Sequence, residues 1–187
     1  DIWVHDLQRA TNSRLVQGAG AVSNMFAVWS RDSARVLFAS NQGGNWDVHA
    51  QPADGSQPAQ RLLDRPGDQF PLSVGTDGHI LFMQQQPQTG RDLFVLRPDG
   101  QVTPVRVTPA NETDGQFSPD GARLAYSSDE SGRYEVYVQS YPSGANRVEV
   151  SSVGGFQPRW SRDGRELFYV TGDAIMGVEV RADGSVG

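Results

Sequence analysis

The chain has 187 residues, 37% of them hydrophobic, with 21 Gly and 11 Pro and a mean hydropathy of −0.49; this fits a turn-rich soluble chain of one or two domains, and no apolar run approaches the roughly 18 residues that span a bilayer. The net charge is −6 and all 16 basic residues are Arg, which argues against nucleic acid as a partner and excludes chemistry that needs a lysine ammonium. Cysteine is absent, so there is no disulfide, no thiol nucleophile and no thiolate metal site.

The chain opens on Asp1 rather than Met, with no basic-then-apolar leader, and reads as excised or processed. Its first element, Asp1-Ile-Trp-Val, is a strand, followed by a second strand at Arg14-Leu-Val; residues 1–22 are the end of a repeat whose full form comes next. That form opens on a ten-residue segment present four times without gaps. The copies are Trp29-Ser-Arg-Asp-Ser-Ala-Arg-Val-Leu-Phe38, Val74-Gly-Thr-Asp-Gly-His-Ile-Leu-Phe-Met83, Phe117-Ser-Pro-Asp-Gly-Ala-Arg-Leu-Ala-Tyr126 and Trp160-Ser-Arg-Asp-Gly-Arg-Glu-Leu-Phe-Tyr169. Their shared aspartates, Asp32, Asp77, Asp120 and Asp163, are 45, 43 and 43 residues apart.

Each copy reads as a strand, a tight turn and a second, apolar strand. Pro119, Asp120 and Gly121 suit successive turn positions, whereas Ser33 replaces the glycine and predicts strain or a different turn. The large residues Trp29, Phe117 and Trp160 are expected to pack between repeats. A third strand follows at Asp47-Val-His-Ala, Asp92-Leu-Phe-Val, Glu135-Val-Tyr-Val and Gly177-Val-Glu-Val, and a fourth at Arg61-Leu-Leu, Arg106-Val-Thr and Arg147-Val-Glu. Asn41–Asn45 and Ser128–Gly132 are hairpin loops. No stretch carries a 3.6-residue period, so no helix is expected.

Four strands in 40 to 45 residues is the spacing of propeller blades; a plain β-sandwich would not repeat a motif at fixed spacing. The fold class is therefore all-β, a β-propeller of four-stranded antiparallel blades with about four blades present. The blades run over 23–67, 68–110, 111–153 and 154–187, the last incomplete. The count is two strands, three sets of four, then three. It overshoots a closed four-bladed ring by one, and six blades need roughly 260 residues. The chain is read as part of a larger ring, with a compact four-bladed ring as the alternative.

Trp-Ser-x-Asp-Gly-x-x-Leu-x-Tyr, followed by Asp-Ile-x-Val and Arg-Leu-Val, resembles the TolB-type, WD40-like propeller repeat. The copies Gln116–Tyr126 with Ser131–Gln139, and Gln157–Tyr169, are most similar to propellers attached to bacterial serine/threonine kinases. The resemblance implies part of a six-bladed propeller in a periplasmic or extracytoplasmic domain, with protein or peptide recognition as its work. The copies at 23–40 and 68–83 depart from the pattern, lacking the turn proline, and Val74 replaces the aromatic residue.

No catalytic constellation stands out. His5, His49 and His79 share no metal-ligand spacing and read as exposed strand histidines, and there is no nucleophile elbow or kinase signature. No cofactor is expected, and an enzyme's catalytic domain would lie outside this chain. Glu112 and Asp114, with Asp129 and Glu130, form two carboxylate pairs that propeller topology sets at one end of a blade; oxygen ligands suit Ca²⁺, and a solvated acidic loop is the alternative. The first strands start at that end, so Asn24, Gln69, Glu112, Asp114, Gln157 and Arg159 are the expected rim of a channel mouth. The leading function is a non-catalytic binding or scaffold module, the sensor half of a bacterial receptor kinase. The alternatives are the gating propeller of a prolyl-oligopeptidase-type serine peptidase and a metal-dependent enzyme of lactonase type.

Overall fold

The computed structural model describes residues 1–181 and 185–187. Among the described residues there are seventeen strands: β1 (Ile2–Asp6), β2 (Thr11–Val16), β3 (Asn24–Trp29), β4 (Arg35–Ser40), β5 (Asp47–Pro52), β6 (Gln60–Arg61), β7 (Gln69–Val74), β8 (Ile80–Gln86), β9 (Gly90–Leu96), β10 (Val102–Arg106), β11 (Glu112–Phe117), β12 (Arg123–Ser128), β13 (Glu135–Ser140), β14 (Val148–Glu149), β15 (Phe156–Trp160), β16 (Glu166–Thr171) and β17 (Ala174–Glu179). They form a two-stranded sheet, three four-stranded sheets and a three-stranded sheet, each a meander of consecutive strands. These are the antiparallel blades of a β-propeller, and no helix occurs among the described residues. The chain divides into two compact units, Asp1–Pro71 and Leu72–Gly187, with the boundary inside β7.

Each unit has its own core. In the first, Ile2 of β1 packs with Val36 and Phe38 of β4, flanked by Val4, Leu15 and Val16. In the second, Ala125, Val136 and Val138 meet Leu167, Tyr169 and Val180 across neighbouring sheets. β4, β9, β12 and β13 are buried along most of their length, so their side chains are withdrawn from water on both faces of the sheet.

The repeated turn is held by its own side chains. In three copies a serine hydroxyl reaches the aspartate two residues on: Ser30 to Asp32 (2.7 Å), Ser118 to Asp120 (2.5 Å) and Ser161 to Asp163 (2.7 Å). The same oxygens accept the backbone N–H five residues on, from Arg35, Arg123 and Glu166. Gly78, Gly121 and Gly164 sit at φ 72° to 78°, and Ser33 takes φ 58° at the same position. The first turn is thus of the same kind as the others, with its strain carried by Ser33.

A carboxylate at or near the start of the third strand is buried in every full blade, at Asp47, Asp92 and Glu135. It ties down the segment leaving the fourth strand. Asp92 accepts from the Thr108 N–H (3.3 Å) and Glu135 from the Gly154 N–H (2.9 Å) and the Ser151 hydroxyl (2.5 Å); Asp47 pairs with Arg61 (3.1 Å). At the opening strand Asp1 does the same to the Gly18 N–H (2.8 Å).

Three expectations are corrected. Trp29 is 50% exposed and so does not pack between repeats as Phe117 does. His49 is a buried histidine, stacked on Phe38 at 5.8 Å, while His79 is partly buried between Asp77 (2.8 Å) and the Tyr141 hydroxyl (3.0 Å). The third strand of the last sheet begins at Ala174, three residues before the Gly177 that the sequence pattern aligned with Glu135. Tyr169 pairs with Met176 as Tyr126 pairs with Tyr137, because the β16–β17 hairpin closes through Gly172 and Asp173 alone.

Candidate partner-binding site

In a meander blade the loop entering the first strand and the loop between the second and third strands emerge at the same end. The second unit shows them joined. The Asn111 N–H donates to Asp129 Oδ1 (2.7 Å), the Asn111 amide to Asp129 Oδ2 (2.8 Å), and the Asp129 N–H returns to the Asn111 carbonyl (3.3 Å). Beside this clasp lies an open cleft of about 580 Å³ lined by Thr108, Pro109, Ala110, Asn111, Asp129, Glu130 and Gly132.

Beneath the cleft sits Glu112, fully buried at the start of β11. Its Oε1 accepts the hydroxyls of Thr108 (2.5 Å) and Ser128 (3.4 Å) and lies 4.0 Å from Arg106 Nε; its Oε2 has no hydrogen-bond partner. Burial pushes the Glu112 carboxyl up to about 7 against the opposing pull of Thr108 and Arg106. Glu130, on the cleft wall, receives Arg106 Nη2 at 2.7 Å and Arg147 Nη2. Burial works to raise Glu130, and these two guanidinium groups outweigh it and hold the carboxyl below its usual range. Arg147 also donates to the Tyr126 hydroxyl (2.7 Å) and stacks on Tyr137 at 3.9 Å from the ring centre. One wall of the cleft is therefore fixed by a continuous ionic and aromatic network.

The six residues expected at a rim separate into two groups. Asn24, Gln69 and Glu112, the first residues of β3, β7 and β11, are buried and offer no open surface. The Gln69 amide closes the preceding loop by donating to the carbonyls of Arg65 (3.0 Å), Pro66 (3.4 Å) and Gly67. The other three reach the surface of the second unit. Asp114 is half-buried and accepts the Gln157 N–H at 3.4 Å; Gln157 is exposed; Arg159 is exposed and its Nη1 donates to the Pro158 carbonyl (2.8 Å).

The carboxylate pairs expected to meet are separately employed: Glu112 by hydroxyls, Asp114 by Gln157, Asp129 by Asn111, Glu130 by two arginines. Among the described residues no three His, Cys, Asp or Glu side chains gather closely enough to hold a metal ion.

The inner strands carry a feature the motif does not spell. β3, β11 and β15 each contain a bulge, and Phe26, Asp114 and Gln157 within them take φ 55°, 56° and 52°. The corresponding residue of β7 is Pro71, whose ring forbids positive φ. Left-handed backbone at a bulky non-glycine residue is strained and re-aims the side chain. Only the pairing register reveals these positions.

No protein-family model matches the chain, and no curated protein matches it in sequence. Solved structures match in fold. TolB from Acinetobacter baumannii superposes with a TM-score of 0.77 at 15% identity, over 98% of this chain and 47% of that one. A putative TolB from Agrobacterium tumefaciens gives 0.71 at 15% identity, over 85% and 62%. A prolyl endopeptidase gives 0.65 at 15% identity, over 97% and 30%. The chain thus has a TolB-like β-propeller fold and spans less than two thirds of each of these relatives.

Proposed function

We propose that this chain is a non-catalytic propeller module that recognises a protein or peptide partner at the loop-bearing end of its blades. The observation that carries this reading is the convergence, at one end of the second unit, of the cleft beside the Asn111–Asp129 clasp and the strained inner-strand residues Asp114 and Gln157. Binding surfaces on propellers are built from such loops on a rigid scaffold. The acidic balance, −6 with arginine as the sole basic residue type, disfavours nucleic acid as the partner. The finer form of the reading is a sensor domain of a bacterial receptor kinase working outside the cytoplasm, supported by the resemblance of the third and fourth repeat copies to kinase-attached propellers. No helix among the described residues is long and apolar enough to cross a membrane.

The test is a peptide array and a pull-down with the full chain. Retention of a defined peptide set, lost when Asn111 is changed to Ala, supports the reading. A blank array and an empty pull-down overturn it.

A further inference from the structure

Two places in the chain, one in each unit, are built to the same plan but finished differently. In the first unit the residue before the third-strand carboxylate, Trp46, packs against Phe70 of the next first strand, with ring centres 5.9 Å apart. In the second unit Tyr134 and Phe156 occupy the corresponding positions at 5.6 Å. Above the first pair the strained bulge residue Phe26 lays its own ring edge-on to Phe70, at 5.2 Å and 66°. Its counterpart in the second unit is Asp114, 88 positions on and at the same backbone angle. A carboxylate offers no ring to lay on its neighbour, and Phe156 is 40% exposed.

Asp114 stands beside that uncovered ring. Its Oδ2 accepts the N–H of Gln157, the residue after Phe156, at 3.4 Å. Its charge also reaches the Tyr134 phenol, which burial pushes up and which Arg91 hydrogen-bonds. An exposed aromatic face next to a half-buried carboxylate matches a planar cation, which stacks on the ring while donating to the oxygen.

Resting on the binding-module reading above, the geometry points to a guanidinium-recognition subsite formed by Asp114, Tyr134 and Phe156, which takes an arginine side chain of the partner where the first unit places the ring of Phe26. The subsite adds chemistry to that reading: the partner presents an exposed arginine. Strain at Asp114 is then the means by which the bulge aims a carboxylate at the ring.

The test uses the ¹⁵N-labelled full chain, titrated with N-acetyl-arginine amide and with its neutral isostere N-acetyl-citrulline amide. The arginine probe is expected to shift the amide signals of Asp114, Tyr134, Phe156 and Gln157, and the citrulline probe to leave them in place. Asp114→Asn is expected to weaken the arginine probe about tenfold or more, the usual effect of removing the charge from such a pair. Asparagine adopts left-handed backbone readily, so this variant keeps the bulge. Phe156→Ala weakens binding by removing the stacking face. Equal shifts with citrulline, or an Asp114→Asn variant that binds as the native chain does, overturn the subsite; the citrulline comparison needs no variant to fold. Array binders that tolerate arginine-to-citrulline replacement would keep the module reading and remove this one. Arginine-probe shifts alongside a blank array would do the reverse.

Discussion

Serine and aspartate two residues apart close three of the four repeat turns, and the hydroxyl does two jobs there. It donates toward the aspartate and accepts the backbone N–H that opens the next strand, as Ser118 does for Asp120 and Arg123. Gly75 replaces the serine in the second copy, and there Asp77 is met by His79 instead, whose N–H donates at 3.1 Å and whose ring lies 2.8 Å away. The residue after the aspartate needs positive φ in every copy, and Ser33 pays for that with strain. Ser33→Gly is therefore expected to stabilise the chain by about 0.5–1 kcal/mol, read as a higher urea midpoint at unchanged slope. Gly121→Ala does the opposite, because its Cβ would come within 2.6 Å of Thr76 Oγ1 at φ 74°. These turns were legible from sequence because every interaction in them is local. The exposure of Trp29 and the burial of His49 were not, since both depend on what the neighbouring strands cover.

At the scale of strands and sheets, the third-strand carboxylate is the fastening that the repeat pattern only hinted at. Glu135 satisfies the Gly154 N–H, the Ser151 hydroxyl and Arg133 Nε while being itself almost inaccessible. Burial works to raise its carboxyl, and these donors together hold it below the usual range. Glu135→Ala orphans the buried partners and is expected to cost on the order of 2–3 kcal/mol, seen as a lowered urea midpoint. Ala174 occupies the same register in the last sheet, and its methyl group can accept no hydrogen bond. Ala174→Ser is expected to stay within about 0.5 kcal/mol of the native chain. The contrast also explains why the last third strand was misaligned. The apolar alternation of Gly177-Val-Glu-Val imitates the repeat, but a two-residue hairpin brings the strand back sooner. A shift of three residues, being odd, exchanges the faces that the expected alignment gave to its side chains. The same logic governs the candidate site. The clustering of Glu112, Asp114, Asp129 and Glu130 at one end followed from meander topology, but which of them reach the surface depended on bulges and burial. Tyr134 lay inside a repeat copy and Phe156 just before one, and neither was singled out by the pattern.

Over the whole molecule, two sets of carboxyl groups move stability in opposite directions with pH. Glu112 and Asp47 are raised, in both cases chiefly by burial. A carboxyl raised on folding holds its proton more tightly in the folded chain, so its contribution is complete below the unfolded value and is lost as pH rises; for Glu112 that window runs from 4.5 to about 7. Asp120, Glu130 and Glu135 are lowered, Asp120 first by the Ser118 hydroxyl and the two glutamates by donors that outweigh their burial. Their contribution is present above the unfolded values and is lost as pH falls through the folded ones. Stability is therefore expected to peak in mildly acidic solution, with an acid limb set by the second group and a neutral limb set largely by Glu112. Glu112→Gln separates the limbs. The amide oxygen still accepts from Thr108 and Ser128, but nothing is left to ionise under the cleft. Thermal midpoints measured by circular dichroism from pH 4 to 8 should show the neutral limb flattened, by on the order of 2–3 kcal/mol at pH 8, and the acid limb retained. Parallel curves for variant and native chain between pH 5 and 7 would mean that Glu112 is ionised throughout and that Arg106, 4.0 Å away, compensates its burial in full.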